Sequence, residues 1–373
     1  IIYSISKLEI EVNNNYNKSN DLAFQALRLN LSANAGSSKT DAAKNALQLA
    51  VNYENSGLSK KALLYFDTCQ MIAERDPVQP AYILYSKLRR AYLFFLTGDY
   101  QKSVEESYTG EQYSILQNDE SYTVEFLNLK AQSLFFQNQI SAANKSLDTV
   151  IKSASLNKYT FELASACKTK AMIYEKQADL IKAEFYYKKS IEIRLPTNNY
   201  KQIATDYSDL ANFYSGTLLN FSKAKKTFTK AIEYAKKNKD LLKLSMIYTN
   251  IGETNLLEHD YETAGNNFTK SLQYLKIKAD NNIFNNPGVK ELSLIGNKDL
   301  IISIMSDKTL LLLKLYKLKN DIRFLTSCIQ TAIVTDSIIT QTRQEQSGEQ
   351  SKLYWRNKTR GFFTNALEAC YRA

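Results

Sequence analysis

Glycine and proline are scarce in this chain, 11 and 4 among 373 residues. Tight turns must therefore be few, which excludes a fold built from many short strands. Histidine and tryptophan occur once each. The single imidazole, His259, stands apart from every cysteine, so neither a zinc cluster nor a Cys–His catalytic pair is signalled. Cys69, Cys167, Cys328 and Cys370 form no Cys-x-x-Cys pair. Each falls at an apolar-periodic position, where a free thiol is expected to behave as a small buried hydrophobe. No uninterrupted apolar run approaches the roughly 18 residues of a membrane span; Leu310 to Leu313 is cut by Lys314. No charged-then-apolar leader opens the chain, and its start at Ile1 rather than Met reads as a fragment or trimmed product. Gly288 and Gly296 lack the spacing of a phosphate loop. Acidic doublets such as Glu105-Glu106 read as exposed helix charge. The sequence thus assigns no catalytic residue, no metal and no cofactor, and reads as a non-enzyme.

What the chain does have is apolar residues at 44%, 25 tyrosines, and a cadence. FSKAKKTFTKAIEY at 221–234 returns forty residues later as YETAGNNFTKSLQY. A small residue, a large apolar one four later and a small or apolar one three beyond recur at Ala62/Phe66/Cys69, Ser103/Ser107/Gly110, Ala143/Leu147/Val150, Ala183/Tyr187/Ser190, Ala224/Phe228/Ala231 and Ala264/Phe268/Ser271. The first members step by 41, 40, 40, 41 and 40 residues. Spacings of three and four mark amphipathic helices. Upstream partners accompany most copies: Leu49-Ala50 with Tyr53, Ala171 with Tyr174, Leu210-Ala211 with Tyr214, and Ile251-Gly252. Gly57 and Gly98 fall between the halves, where a left-handed residue ends one helix before the next. Pro77, Pro80 and Pro196 lie between copies. The unit is a helical hairpin, repeated.

The pattern resembles the tetratricopeptide repeat, whose small and large apolar residues hold these offsets at a period of about 34 residues. That resemblance implies an all-α fold, a right-handed superhelix or α-solenoid, and a protein–protein interaction role. The longer period here predicts longer helices, and an extra residue in SGTLLNFSKA predicts an altered turn in the fifth repeat. The array, with a degenerate first hairpin, is expected over 1–278. An inserted Asn-rich loop should follow at 279–304, then a further hairpin with a long second helix at 305–345. A helix carrying Trp355, Thr359, Phe362, Ala366 and Cys370 should cap the array at 346–373.

The C-terminal text, LLLLKLY, DIRFL, TDSII, SKLYW and ALEACY, also resembles the junction in tetratricopeptide proteins of the CHAT family, where a repeat array leads into a caspase-like protease domain. That likeness covers roughly the last 65 residues. It implies a regulatory array for a protease lying outside this chain, and it carries over no catalytic residue. The other reading is a sensor or scaffold of a signalling protein without a protease.

The formal charge is +10. Lys223, Lys226, Lys230 and Lys237 share one stripe of a helix, opposite the Ala224/Phe228/Ala231 face, so the basic surface points outward. No stacking aromatics interleave with it, and nucleic acid is not the expected partner. The repeat resemblance implies that first helices line an inner groove. Its candidate residues are Leu47, Val51, Leu88, Tyr92, Phe135, Lys168, Asn212, Asn250 and Glu253, apolar early and polar late, suited to an extended or helical peptide or protein partner.

Overall fold

The computed structural model describes residues 16–32, 36–75, 80–345 and 349–373. The described residues form helices and turns, with no strand among them. They divide into two compact units, residues 1–157 with 345–354, and 158–344 with 355–373.

In the first unit the helices are α1 (Tyr16–Ser32), α2 (Gly36–Asn55), α3 (Ser59–Arg75), α4 (Pro80–Leu96), α5 (Tyr100–Leu116), α6 (Glu120–Phe136) and α7 (Ile140–Leu156). Consecutive helices pack as antiparallel neighbours. The expected partner of α1 would lie in residues 1–15, and the Pro77 turn in 76–79; both fall outside the described residues.

The second unit continues with α8 (Thr160–Lys176), α9 (Leu180–Arg194), α10 (Tyr200–Asn212), α11 (Phe221–Lys237), α12 (Leu241–Leu257), α13 (Tyr261–Tyr274), the short α14 (Val289–Ser293), α15 (Lys298–Lys319) and α16 (Ile322–Glu345). The last helix, α17, spans Glu349–Arg372.

A 40-residue repeat here means 17-residue helices joined by three-residue turns, so helix starts fall at 100, 120, 140 and 160. One local device closes these turns. A residue with positive φ sits at Gly57, Gly98, Asn118, Asn138, Lys158, Ala178, Asn198, Lys239 and His259. In most of them the next residue is an Asp or Asn whose side chain accepts from a backbone N–H three residues on, as at Asp99, Asp119, Asp179, Asn199, Asp240 and Asp260. The left-handed residue ends one helix and the cap starts the next. His259 is a turn residue of this kind (φ 64°), its Nδ1 3.0 Å from the Tyr261 hydroxyl.

The extra residue of the fifth repeat enters as a π turn, Phe213–Thr217, at the end of α10. A single insertion widens one helical turn instead of shifting the register downstream. Leu219 and Asn220 then resume the usual turn and cap.

The small members of the cadence, Ala62, Ser103, Ala143, Ala183, Ala224 and Ala264, are all fully buried. So are Phe66, Phe228 and Phe268, which fill the space the small residues leave. Cys69, Cys167 and Cys328 are buried, and burial pushes the Cys69 and Cys167 thiols up to about 11. Cys370 is exposed, which corrects the sequence reading. The buried stripe of α17 runs Trp355, Thr359, Phe362 and Ala369, and Cys370 lies one residue off it. This helix is tied to α15 by Lys358–Asp299 (2.8 Å) and Lys317–Glu368 (2.7 Å).

Of the loop expected at 279–304, residues 279–288 are irregular, Val289–Ser293 form α14, and 298–304 already belong to α15, so the insertion is shorter than expected. Asp280 and Asn282 each accept from the backbone N–H two residues on, at 3.1 Å. Phe284 packs on Phe324 at 5.0 Å between ring centres, and Ser327 Oγ donates to the Phe284 carbonyl at 3.2 Å. One stretch of α16, Ile322–Gln344, is long and apolar enough in composition to cross a bilayer. Counting only uninterrupted apolar runs overlooked it. Its Leu325, Cys328, Ala332, Ile338 and Ile339 are core residues.

Candidate functional site

The odd-numbered helices from α3 to α13 carry the cadence, and the even-numbered helices from α2 to α12 carry the nine candidate groove residues. In the first unit, Leu47 and Val51 on α2 are partly buried and pack against core side chains. Leu88 on α4 is also partly buried, and Phe135 on α6 is buried at 8% exposure. Tyr92 is 37% exposed. Its neighbour one turn back, Arg89, is held by Glu54 on α2 through two hydrogen bonds, one at Nε of 3.1 Å. Arg89 in turn lies 4.9 Å over the Tyr92 ring. Leu96 and Phe136, at the C-terminal ends of α4 and α6, are exposed as well. Phe136 is supported by Phe95 (5.5 Å) and Tyr100 (5.1 Å), and Tyr100 by Tyr354 (6.2 Å). The first unit therefore presents aromatic side chains held by an aromatic cluster and by one clamped guanidinium, features that concentrate binding energy when a partner covers them.

In the second unit the same helix set carries charge. Lys168 on α8 pairs with Asp209 (3.0 Å) and lies 3.8 Å from Asp206, both on α10. Burial works to lower the Lys168 ammonium, and the two carboxylates outweigh it and hold it above its usual range. Asp206 is itself buried, 2.6 Å from Arg194 Nε on α9 and accepting from Ser190 at 3.0 Å. Asn250 on α12 donates to Ser208 on α10 at 3.0 Å. Asn212 stands exposed at the entrance to the π turn. Lys243 on α12, pushed down by burial, senses Asp209 and Lys168. Lys168 and Asn250 thus bind neighbouring repeats to each other, whereas Asn212 faces solvent.

Glu253 is not a lone groove carboxylate. It shares a hydrogen bond with Asp307 of α15, and the Ser303 hydroxyl lies beside both acids. Burial, then mutual repulsion, keeps Asp307 well above the normal carboxyl range, so the pair takes up a proton more readily than two free acids would. Because the folded state binds the proton more tightly than the unfolded chain, stability is highest below the ordinary carboxyl range. It falls as pH rises through the raised folded value. Asp307→Asn keeps a hydrogen-bonding partner for Glu253 and removes one charge. It is expected to raise neutral-pH stability by about 1 kcal/mol and to flatten the fall of stability with pH above the ordinary carboxyl range, as urea titrations from acid to neutral pH would read.

The basic stripe of α11 is exposed: Lys223 lies 3.8 Å from Glu184, Lys237 pairs with Glu233 at 2.8 Å, and Lys226 and Lys230 face solvent. Among the described residues no group of three or more His, Cys, Asp or Glu side chains gathers as a metal site. The residues that sequence reading missed are Glu54, Arg89, Arg194, Asp206, Asp209 and Asp307. Their signal was available: Lys168 and Asp209 are opposite charges one repeat apart.

Comparison with known proteins finds a tetratricopeptide repeat at residues 164–196, which is α8 and α9. No curated protein sequence matches. Among solved structures, a Rap protein complexed with competence and sporulation factor aligns at 13% identity and TM-score 0.61, over 90% of this chain and 84% of that one. The Rap conjugation gene regulator of plasmid pLS20, in complex with the Phr* peptide, aligns at 11% identity and TM-score 0.55, over 85% of this chain and 81% of that one. A signal transduction ATPase with numerous domains and a tetratricopeptide repeat sensor, from Pyrococcus horikoshii, aligns at 12% identity and TM-score 0.52, over 92% of this chain and 55% of that one. At these identities the likeness is one of fold: this chain has the all-α helical-repeat solenoid fold of the tetratricopeptide type.

Proposed function

We propose that this chain is a peptide- or protein-binding repeat module with a regulatory role. The observation that carries the reading is the exposed Tyr92, braced by Arg89 and Glu54 and stacked on Phe95, which in turn packs on the exposed Phe136. Rigid aromatics beside a fixed guanidinium bind extended or helical segments well, because little side-chain entropy remains to be lost. Two solved structures of the same fold hold peptide or factor partners, which supports that class of ligand. The test is a peptide-display selection against the full chain. Selected peptides should lose at least tenfold in affinity on Tyr92→Ala, and unchanged affinity for every selected peptide would remove the reading.

In the intact protein, we propose that the array senses a partner and restrains a caspase-like CHAT protease domain beyond Ala373. The support is the junction-like text of the last 65 residues or so. Reading the coding frame past Ala373 tests it, since a His motif and then a Cys motif on an α/β pattern are required. The second reading, a sensor or scaffold without a protease, has the sensor of the Pyrococcus horikoshii ATPase as its fold-level support.

A further inference from the structure

The inserted segment closes over a cavity of about 320 Å³ between α13 and α15. That is space for about ten water-sized groups, at the small end of ligand pockets. Phe268 and Leu272 from α13, Leu311 from α15 and Ile283 from the insertion form its apolar wall. Lys308, on α15, is buried at its edge. Its ammonium donates to the Asn285 carbonyl and, at 2.9 Å, to Asn286 Oδ1. Thr331 Oγ1 donates to that same Asn286 oxygen at 3.0 Å, so the acceptor is fixed in place. Two of the three ammonium donors are used on neutral oxygens. No carboxylate of the described residues stands in ion-pair contact with Lys308.

The other charged groups lining the cavity are Lys278 and Asp280. Asp280 is engaged by the Asn282 backbone N–H and by Asn285 Nδ2 at 2.8 Å. With Lys308 protonated the lining carries one net positive charge, which a single monoanion neutralises. Burial pushes Lys308 down to about 8, and Asp280 offsets this only partially. A buried cation without a counterion beside an apolar wall is matched by an anionic head on an apolar tail.

We propose that this cavity binds a small carboxylate, its anionic end on Lys308 and its apolar tail against Ile283 and Leu311. The carboxylate could belong to a free short-chain acid or to the C-terminal residue of a peptide. This inference does not rest on the groove proposed above, because it uses none of the same side chains.

The test is calorimetry on the full chain with four probes. These are isovalerate, isovaleramide, a pentapeptide ending in free leucine, and the same peptide amidated. At least one free acid should bind at least tenfold more tightly than its amide, and which acid binds identifies the source. Lys308→Met should abolish that preference while leaving helical circular dichroism intact. If Lys308→Met does not fold, the wild-type pH profile decides. Affinity should hold from pH 6.5 to 7.5 and fall about tenfold per pH unit above about 8, as the amine loses its proton. No binding by either acid up to 10-fold above about 1 mM, equal binding of acid and amide, or an affinity flat to pH 9.5 would each overturn the proposal.

Discussion

Asp206→Ala is expected to lower the stability of the second unit by about 3–5 kcal/mol, read as the urea midpoint at unchanged slope. The side chain is 1% exposed, and its partner Arg194 is 3% exposed. Removing the carboxylate leaves the guanidinium beside the Phe161 ring, 4.8 Å away, with the Phe161 carbonyl at 3.4 Å as a hydrogen-bond acceptor and the Glu162 carboxylate as the charge that still attracts it. Lys168 would keep Asp209, so the loss comes from Arg194 and from the Ser190 hydroxyl, which donates to the same carboxylate. Most of the cost is an uncompensated buried charge and not the worth of the ion pair itself. The double replacement Arg194→Met with Asp206→Leu removes both charges together and should recover most of the stability. If Asp206→Ala costs less than about 1 kcal/mol, the scale of an exposed pair, then Arg194 reaches solvent and the two charges are not sealed between the helices.

The repeat was legible because packing acts on it at every turn. Ala224 and Phe228 report a close helix approach, and a larger side chain at either position of any copy would push neighbouring helices apart. The true helical period of twenty was equally present, as Gly-Asp, Asn-Asp, Ala-Asp, Lys-Asp and His-Asp at 98, 118, 178, 239 and 259. Only the glycines attract notice there, since a left-handed residue followed by a cap signals through geometry rather than residue type. The insertion was legible as a break and not as a structure. Its order comes from Asp280, Asn282 and Asn286 bonding to nearby backbone and to Lys308 and Thr331, contacts with no periodicity. The candidate site divided in the same way. Tyr92 and Asn212 could be placed by counting offsets along the first helices. Whether Lys168, Asn250 and Glu253 faced solvent depended on Asp209, Ser208 and Asp307, and a single helix wheel contains none of these.

The fit between small and large residues leads to the other large effect. A Cβ built on Gly252 would lie 2.4 Å from Phe268 Cε1, and one on Gly110 only 2.2 Å from Phe126 Cε1. Phe268 and Phe126 are fully buried, so neither ring can swing into solvent. Gly252→Ala gains helix propensity worth about 1 kcal/mol and would stabilise an open site. Here it should destabilise by about 1–3 kcal/mol through overpacking, because α12 and α13 must separate or Phe268 must leave its rotamer. Shortening the ring tests the cause. Phe268→Leu alone should cost stability by opening a cavity, yet in the Gly252→Ala background the same change should cost much less. A coupling of about 1 kcal/mol or more between the two substitutions, measured by a double-mutant cycle, is the expected result. Additive losses would mean that the clash is relieved by backbone movement alone. Phe268 also walls the cavity beside Lys308, so the double variant should change carboxylate affinity, whereas Gly110→Ala in the other unit should leave it untouched.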